Sequence, residues 1–249
     1  MESAYKKAIK EYLKRTNQTE FYLKAVLFDM DGVLFDSMPF HAEAWKKAME
    51  QEGIYADVKE YLANEGRTAK QTVNIFFEKN NKPPATDEEI KSIYKVKEAL
   101  FNQYPPVEKM PGAYSLIQQM KENGLLLGVV TGSAQGSLLK RLPEDYPSAF
   151  DESVIVTALD VKYGKPNPEP YLMGLQKAGV QKNEAIVIEN APLGVESAVK
   201  AGIFTIAVNT GKLDKQLLIA AGADLVFDSM VKLSEEWKTL EKIGKCFFV

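Results

Sequence analysis

Residues 25–32 read Ala25-Val26-Leu27-Phe28-Asp29-Met30-Asp31-Gly32. Four apolar residues with no polar break suit a strand buried on both faces, as in a parallel sheet. Two carboxylates follow at once, one residue apart, and Gly32 lets the chain turn away. The same grammar recurs downstream: Leu125 to Val130 runs into Thr131-Gly132-Ser133, and Ala185-Ile186-Val187-Ile188 into Glu189-Asn190. Further apolar runs stand at Val154-Ile155-Val156, Phe204 to Val208 and Leu225-Val226-Phe227, and amphipathic helical patterns near 112–122, 134–142, 168–179, 191–201 and 214–221 separate the runs. Strand and helix in alternation predict an α/β fold with a doubly wound, Rossmann-like parallel sheet.

The alternation lapses once. Between Phe28 and Leu125 there is no convincing buried strand, only helical patterns near 39–52, 68–80 and 86–103. Asn80 to Asp87 reads as a loop leading to an N-cap, and Tyr104-Pro105-Pro106 ends the last helix. The expected organisation is therefore an N-terminal helical extension at 1–20, an α/β core at 21–37 and 108–249, and an inserted all-helical cap at 38–107. In the extension, Tyr5, Ile9, Tyr12 and Leu13 fall roughly on one helical face, which is expected to dock on the core or on a partner.

Composition narrows the function classes. The 249 residues suffice for one large domain or two modest ones, and 45% hydrophobic with 26% charged residues excludes a disordered or fibrous chain. Lys+Arg 31 against Asp+Glu 34, a net charge of −3, gives no broad basic field for nucleic acid. No stretch reaches the ~18 apolar residues of a membrane helix, and the N-terminus has no apolar signal segment. The single cysteine, Cys246, allows no internal disulfide, so a cytoplasmic protein is expected, with the monomer as its state. One histidine and one cysteine exclude a zinc site built from several such ligands, so any metal must sit mainly on oxygen, which favours magnesium.

In an open α/β sheet the ligand crevice lies outside the carboxyl ends of the strands, so Asp29, Asp31, Thr131, Glu189 and Asn190 are expected to converge. Clustered carboxylates repel and drift toward protonation unless a cation neutralises them. An EF-hand counted from Asp29 would need glycine at its sixth position and an acid at its twelfth, where Leu34 and Phe40 stand. A chance Asp-x-Asp turn is the remaining rival, and its position at the tip of an apolar strand argues against it. No glycine-rich nucleotide loop follows a strand. Lys165 sits in a loop stiffened by Pro166 and Pro168. Beside a carboxylate cluster, such a lysine suits the anchoring of an anionic nucleophile and a phosphoryl group.

Phe28-Asp29-Met30-Asp31-Gly32-Val33-Leu34-Phe35-Asp36-Ser37, Val130-Thr131-Gly132-Ser133, Lys165-Pro166 and Ile188-Glu189-Asn190 with Gly194 resemble the four ordered motifs of the haloacid dehalogenase superfamily, over roughly residues 24–230. The helical insert resembles the small cap of the β-phosphoglucomutase-like branch. His41, Trp45 and Gly66-Arg67-Thr68 look like that branch's substrate-facing positions. Asn64-Glu65-Gly66-Arg67-Thr68 with Ile188-Glu189-Asn190-Ala191-Pro192 most resembles a bacterial inorganic pyrophosphatase.

The resemblance implies that Asp29 attacks phosphorus to form an aspartyl-phosphate and that Asp31 is the general acid and base. It implies that Thr131, with Gly132 and Ser133, holds phosphoryl oxygens, that Lys165 balances charge, and that magnesium is bound by Asp29, Asp31 and Asn190, with Glu189 either a further ligand or a partner behind the ligands. Asn190 departs from the family's usual second acid, leaving the site one negative charge poorer. Arg67 could grip a distal phosphate, whereas Glu65 would repel an anion unless a metal intervenes; a salt bridge within the cap is the plain alternative for Glu65. The expected activity is magnesium-dependent hydrolysis of a small phosphorylated substrate, inorganic pyrophosphate first. A β-phosphoglucomutase or sugar-phosphate phosphatase is the alternative, and an inactive phosphate-binding protein the remote one.

Overall fold

The structure is a computed structural model that describes residues 2–133, 136–245 and 247–248. Cys246 and the first two residues of the helix expected at 134–142 lie outside the described residues. Strands β1 (Glu20–Phe21), β2 (Ala25–Phe28), β3 (Leu126–Val130), β4 (Ile155–Val156), β5 (Ala185–Glu189), β6 (Phe204–Val208), β7 (Leu225–Phe227) and β8 (Phe247–Phe248) form two sheets. The larger is wholly parallel, in the order β4-β3-β2-β5-β6-β7.

Helices α1 (Glu2–Thr16), α2 (Met38–Gln51), α3 (Val58–Leu62), α4 (Ala69–Lys79), α5 (Asp87–Phe101), α6 (Ala113–Glu122), α7 (Gly136–Asp145), α8 (Glu169–Ala178), α9 (Pro192–Lys200), α10 (Lys215–Ala220) and α11 (Met230–Gly244) complete the chain. Strand β2 shows why the apolar runs carry no alternation. Val26 and Phe28 enter a core shared with α1, α6, α7 and α11, whereas Ala25 and Leu27 enter another with Tyr171 of α8 and Ala198 of α9. With both faces covered, every residue of β2 and β5 is buried.

The doubly wound fold is thus as expected, with three additions. Helix α11, short α3 and the antiparallel β1–β8 ribbon go beyond the elements read from sequence. Helix α1 docks on the core: Tyr5, Ile9, Tyr12 and Leu13 are buried, the Tyr12 hydroxyl lies 2.9 and 3.0 Å from the carbonyls of Lys182 and Gly202, and Arg15 grips Asp224 through two hydrogen bonds of 2.8 and 3.0 Å. Burying each large apolar side chain contributes roughly 1.5–3 kcal/mol.

Helices α2 to α5 gather a separate apolar cluster from Ala42, Met49, Tyr61, Val73, Phe76 and Ile93. Thr68 and Thr86 cap α4 and α5 with reciprocal Gln71 and Glu89 partners. Two crossing segments tie this insert to the sheet: Asp36 N donates to Glu108 O at 3.0 Å and Met110 N to Leu34 O at 2.8 Å.

Candidate active site

The sheet reverses its winding direction at β2, and the loops leaving β2, β3 and β5 meet there under the insert. Asp29 N donates to the carbonyl of Ile188 at 3.0 Å, which fixes the tip of β2 against β5. The ammonium of Lys165, 1% exposed, donates to the Asp29 carboxylate, to Glu189 Oε1 at 2.7 Å and to the carbonyl of Val130 at 3.1 Å. Thr131 is buried beside it and accepts from Ser133 N at 3.0 Å. Asp29, Asp31, Thr131, Lys165, Glu189 and Asn190 therefore do converge, as the motif order implied.

Of the two parts expected of Glu189, metal ligand or a partner behind the ligands, its contacts fit the second. Its Oε1 accepts from Lys165 and from the Tyr171 hydroxyl at 3.0 Å, and its Oε2 accepts from the backbone of Asn190 and Ala191 at 2.8 and 3.0 Å. Both oxygens are committed to protein donors, so Glu189 holds Lys165 and shapes the loop. No group of three or more described His, Cys, Asp or Glu side chains is arranged to hold a metal by itself. The donor set that fits magnesium is mixed. Asn190 Oδ1 is a buried oxygen with no hydrogen-bond partner among the described residues, next to the carboxylate tip of β2, and an amide or main-chain oxygen serves a hard cation as well as a carboxylate does. Gly32 makes that placement feasible: with φ of +82° it turns the chain, and a Cβ there would lie 2.1 Å from Asn190 Nδ2.

The electrostatics agree with a cation-accepting site. Burial, reinforced by Glu189 and Asp31, pushes Asp29 up to about 8 against the pull of Lys165. Glu65 is raised well above the usual carboxylate range by burial and by Asp29 and Glu189. Asp31 goes the other way. Burial opposes its ionisation, but His41, the Ser37 hydroxyl and Lys97 outweigh that and hold it at about 2.

His41, expected to face substrate, lines the cavity with Asp29 and Asp31, and its ring lies 2.8 Å from Asp31 Oδ1 through Nε2 and 2.7 Å from Lys97 Nζ through Nδ1. Lys97 donating to Nδ1 leaves the Nε2 hydrogen aimed at Asp31, so the lysine selects the tautomer. Ser37 Oγ donates to the same oxygen at 2.6 Å. Lys97 and Ser37 are the functional residues that sequence reasoning missed. A signal for Lys97 existed: it occupies a core position of α5, in line with Ile90, Ile93 and Phe101, and lysine is almost never buried without a partner. Its burial pulls it down to about 7.

The insert closes the site from above. Trp45, Glu65 and Arg67 line one cavity with Asp29, Asp31, Gly132 and Ser133. Trp45 packs beside Tyr94, with the Lys97 ammonium 5.6 Å from each ring. Arg67 is half-buried and donates through Nε to Asn64 Oδ1 at 3.0 Å. Glu65 makes no salt bridge inside the insert; its Oε1 accepts from Asn190 Nδ2 at 3.2 Å, across the cleft.

Residues 26–208 match the family model described as haloacid dehalogenase-like hydrolase. This chain belongs to that family. Among solved structures, a Bacteroides vulgatus protein named as a candidate β-phosphoglucomutase is 50% identical to this member of the family, with 98% of this chain and 100% of that chain covered and a TM-score of 0.95. Among curated relatives, a phosphorylated carbohydrates phosphatase of Thermotoga maritima is 30% identical, covering 81% of this chain and 92% of that protein. Hexitol phosphatase A of Escherichia coli is 31% identical, covering 75% and 83%. These relatives are named for phosphorylated carbohydrates, so the comparisons favour the sugar-phosphate alternative over pyrophosphate.

Proposed function

We propose that this family member is a magnesium-dependent phosphoryl-transfer enzyme in which Asp29 is the nucleophile, with residues 38–107 acting as a cap over a core of 21–37 and 108–249. Asp29 attacks phosphorus in line and forms an aspartyl-phosphate; Lys165, held by Glu189 and Val130, steadies the attacking carboxylate and offsets charge on the phosphoryl oxygens. Thr131 with the Gly132–Ser133 backbone receives those oxygens. Asp31 hands a proton to the leaving oxygen, then takes one from the water that cleaves the intermediate. Its resting form is ionised, so the proton must arrive as substrate binds, and the His41–Lys97 pair is the nearest source. Asp29, the main-chain oxygen of Asp31 and Asn190 would hold magnesium, which when bound would supply charge neutralisation at the transferring group.

For the substrate, the observation that carries the argument is Glu65 on Asn190. A cap carboxylate seated among Asp29, Asp31 and Glu189 is unfavourable for a bare anion and favourable for a compact substrate that brings a divalent cation with it. Magnesium pyrophosphate fits that description, with Arg67 on its distal phosphate. A second reading, a sugar-phosphate phosphatase or mutase, is favoured by the names of the curated relatives and by the aromatic wall of Trp45 and Tyr94. Steady-state kinetics on pyrophosphate, glucose 1-phosphate, glucose 6-phosphate and a hexitol phosphate, with magnesium and with a chelator, decides between them. Pyrophosphate is expected to give the highest kcat/KM, and a hexose or hexitol phosphate that exceeds it establishes the second reading. Turnover that survives both the chelator and Asp29→Asn would overturn the mechanism as a whole.

A further inference from the structure

The cap meets the catalytic loops through positions that have no side chain. Gly164 directly precedes Lys165. A Cβ on Gly164 would lie 2.7 Å from Thr68 Cγ2, 2.7 Å from Gln71 Oε1 and 3.0 Å from Thr68 N. The Thr68 atoms cannot easily retreat. Thr68 is the N-cap of α4, its N–H donating to Gln71 Oε1 at 2.9 Å and its hydroxyl accepting from Gln71 N at 3.3 Å. The backbone of Gly164 lies outside the left-handed region, so its need for glycine is steric. Earlier in the same segment, a Cβ on Gly132 would lie 2.6 Å from the carbonyl of Gly66. Residues 66–68 thus pack closely against two core glycines, and Glu65 directly precedes them.

We propose that Gly164 is a positioning residue for cap closure: its bare Cα is the seat for the start of α4, and that seat sets how deeply Glu65 enters the site. The inference rests on the reading of Asp29 as nucleophile under a closing cap, and it holds for either substrate class. Gly164 touches no substrate and acts through the cap segment. An added methyl displaces that segment by a fraction of an ångström or more, and misplacement of catalytic groups on the 1 Å scale costs on the order of 100-fold in rate.

The test uses Gly164→Ala in the full chain with two readouts. Kinetics is expected to show kcat/KM for pyrophosphate down roughly 10- to 100-fold and a much smaller loss on p-nitrophenyl phosphate, with an unchanged melting temperature. Thr68→Ser removes the Cγ2 methyl yet keeps the capping hydroxyl, so Gly164→Ala placed on Thr68→Ser is expected to recover most of the loss relative to Thr68→Ser alone. In a Glu65→Ala background the same glycine change should cost less than about threefold, because both act through one contact. The second readout needs no turnover. Spin labels at Tyr55→Cys in the cap and Leu159→Cys in the core, both highly exposed, in a Cys246→Ser background with magnesium and inorganic phosphate, report the cap–core distance. Gly164→Ala should lengthen it. Unchanged distances overturn the proposal even if activity falls, since Gly164 then serves only Lys165; full additivity with Glu65→Ala does the same. A parent enzyme inactive on every phosphoester would defeat the functional reading while the label distances still judge the seat.

Discussion

The side-chain amide of Asn190 in the core donates to the carboxylate of Glu65 in the cap across a gap of 3.2 Å. That one contact joins the residue where the chain departs from its family's usual acid to the cap residue proposed above to select the substrate. An aspartate at 190 would face Glu65 with a second negative charge, and an amide does not. The same amide leaves its oxygen, buried and unpartnered, free to meet a cation. On the proposed reading, cap closure and the metal site would then share the two ends of one side chain.

Asn190→Asp separates those roles. The added charge is expected to tighten magnesium binding several-fold. The lost donor and the like-charge approach of Glu65 should lower kcat/KM for pyrophosphate by about tenfold or more, since each tenfold is about 1.4 kcal/mol and like charges at contact exceed that when buried. Calorimetric titration with magnesium and steady-state kinetics check the two halves separately. A variant that binds magnesium no tighter and turns over at the parental rate contradicts the arrangement.

Glu65→Ala addresses substrate choice. It is expected to lower kcat/KM for pyrophosphate by about tenfold or more, the scale of a lost charged hydrogen bond, while p-nitrophenyl phosphate, which brings one phosphate and a large leaving group, loses much less. Equal losses on both would make Glu65 a structural residue of the cap.

Asp29 gives the pH dependence. Its folded value of about 8 stands above the ordinary carboxylate value of 3.8 because burial, with help from Glu189 and Asp31, outweighs Lys165. Between those limits the folded, metal-free protein holds a proton that the unfolded chain has released, so stability falls as pH rises through the window. Magnesium must displace that proton, so its affinity rises with pH over the same range. Melting curves at pH 6 and pH 8, with and without magnesium, should show the larger magnesium-induced rise at pH 8. Equal rises would mean that Asp29 is already ionised in the free protein at pH 6.

The N-terminal helix supplies a stability prediction. Leu13 is fully buried in the main core, so Leu13→Ala should destabilise the protein by about 2–5 kcal/mol in denaturant melts. A loss under about 0.5 kcal/mol, the range of exposed positions, would show that α1 detaches in solution. Activity of the folded fraction is expected to remain, since no described residue of α1 is among those that line the cavity.

Much of this molecule is determined locally. Ala25 to Phe28 and Ala185 to Ile188 had to be two-sided strands because nothing in them tolerates water. Thr68 and Thr86 with their partners three residues on had to start helices. Polar residues at strand tips had to share a crevice, since parallel strands all point the same way. Asp29, Asp31, Thr131, Lys165 and Asn190 were legible for that reason. Helix α11 was not marked out, although Leu233, Trp237 and Leu240 line its buried face. The β1–β8 ribbon pairs chain ends that no local signal relates. The tertiary structure alone decided which oxygen answers which donor: that Glu189 is fully occupied by Lys165, Tyr171 and two amides, that His41 serves Asp31 under Lys97, and that Glu65 reaches Asn190 rather than a lysine of its own cap. Local sequence sets propensity and which face is apolar. The partner of a polar group is set by packing between elements far apart along the chain, where a displacement of one ångström makes or breaks a hydrogen bond.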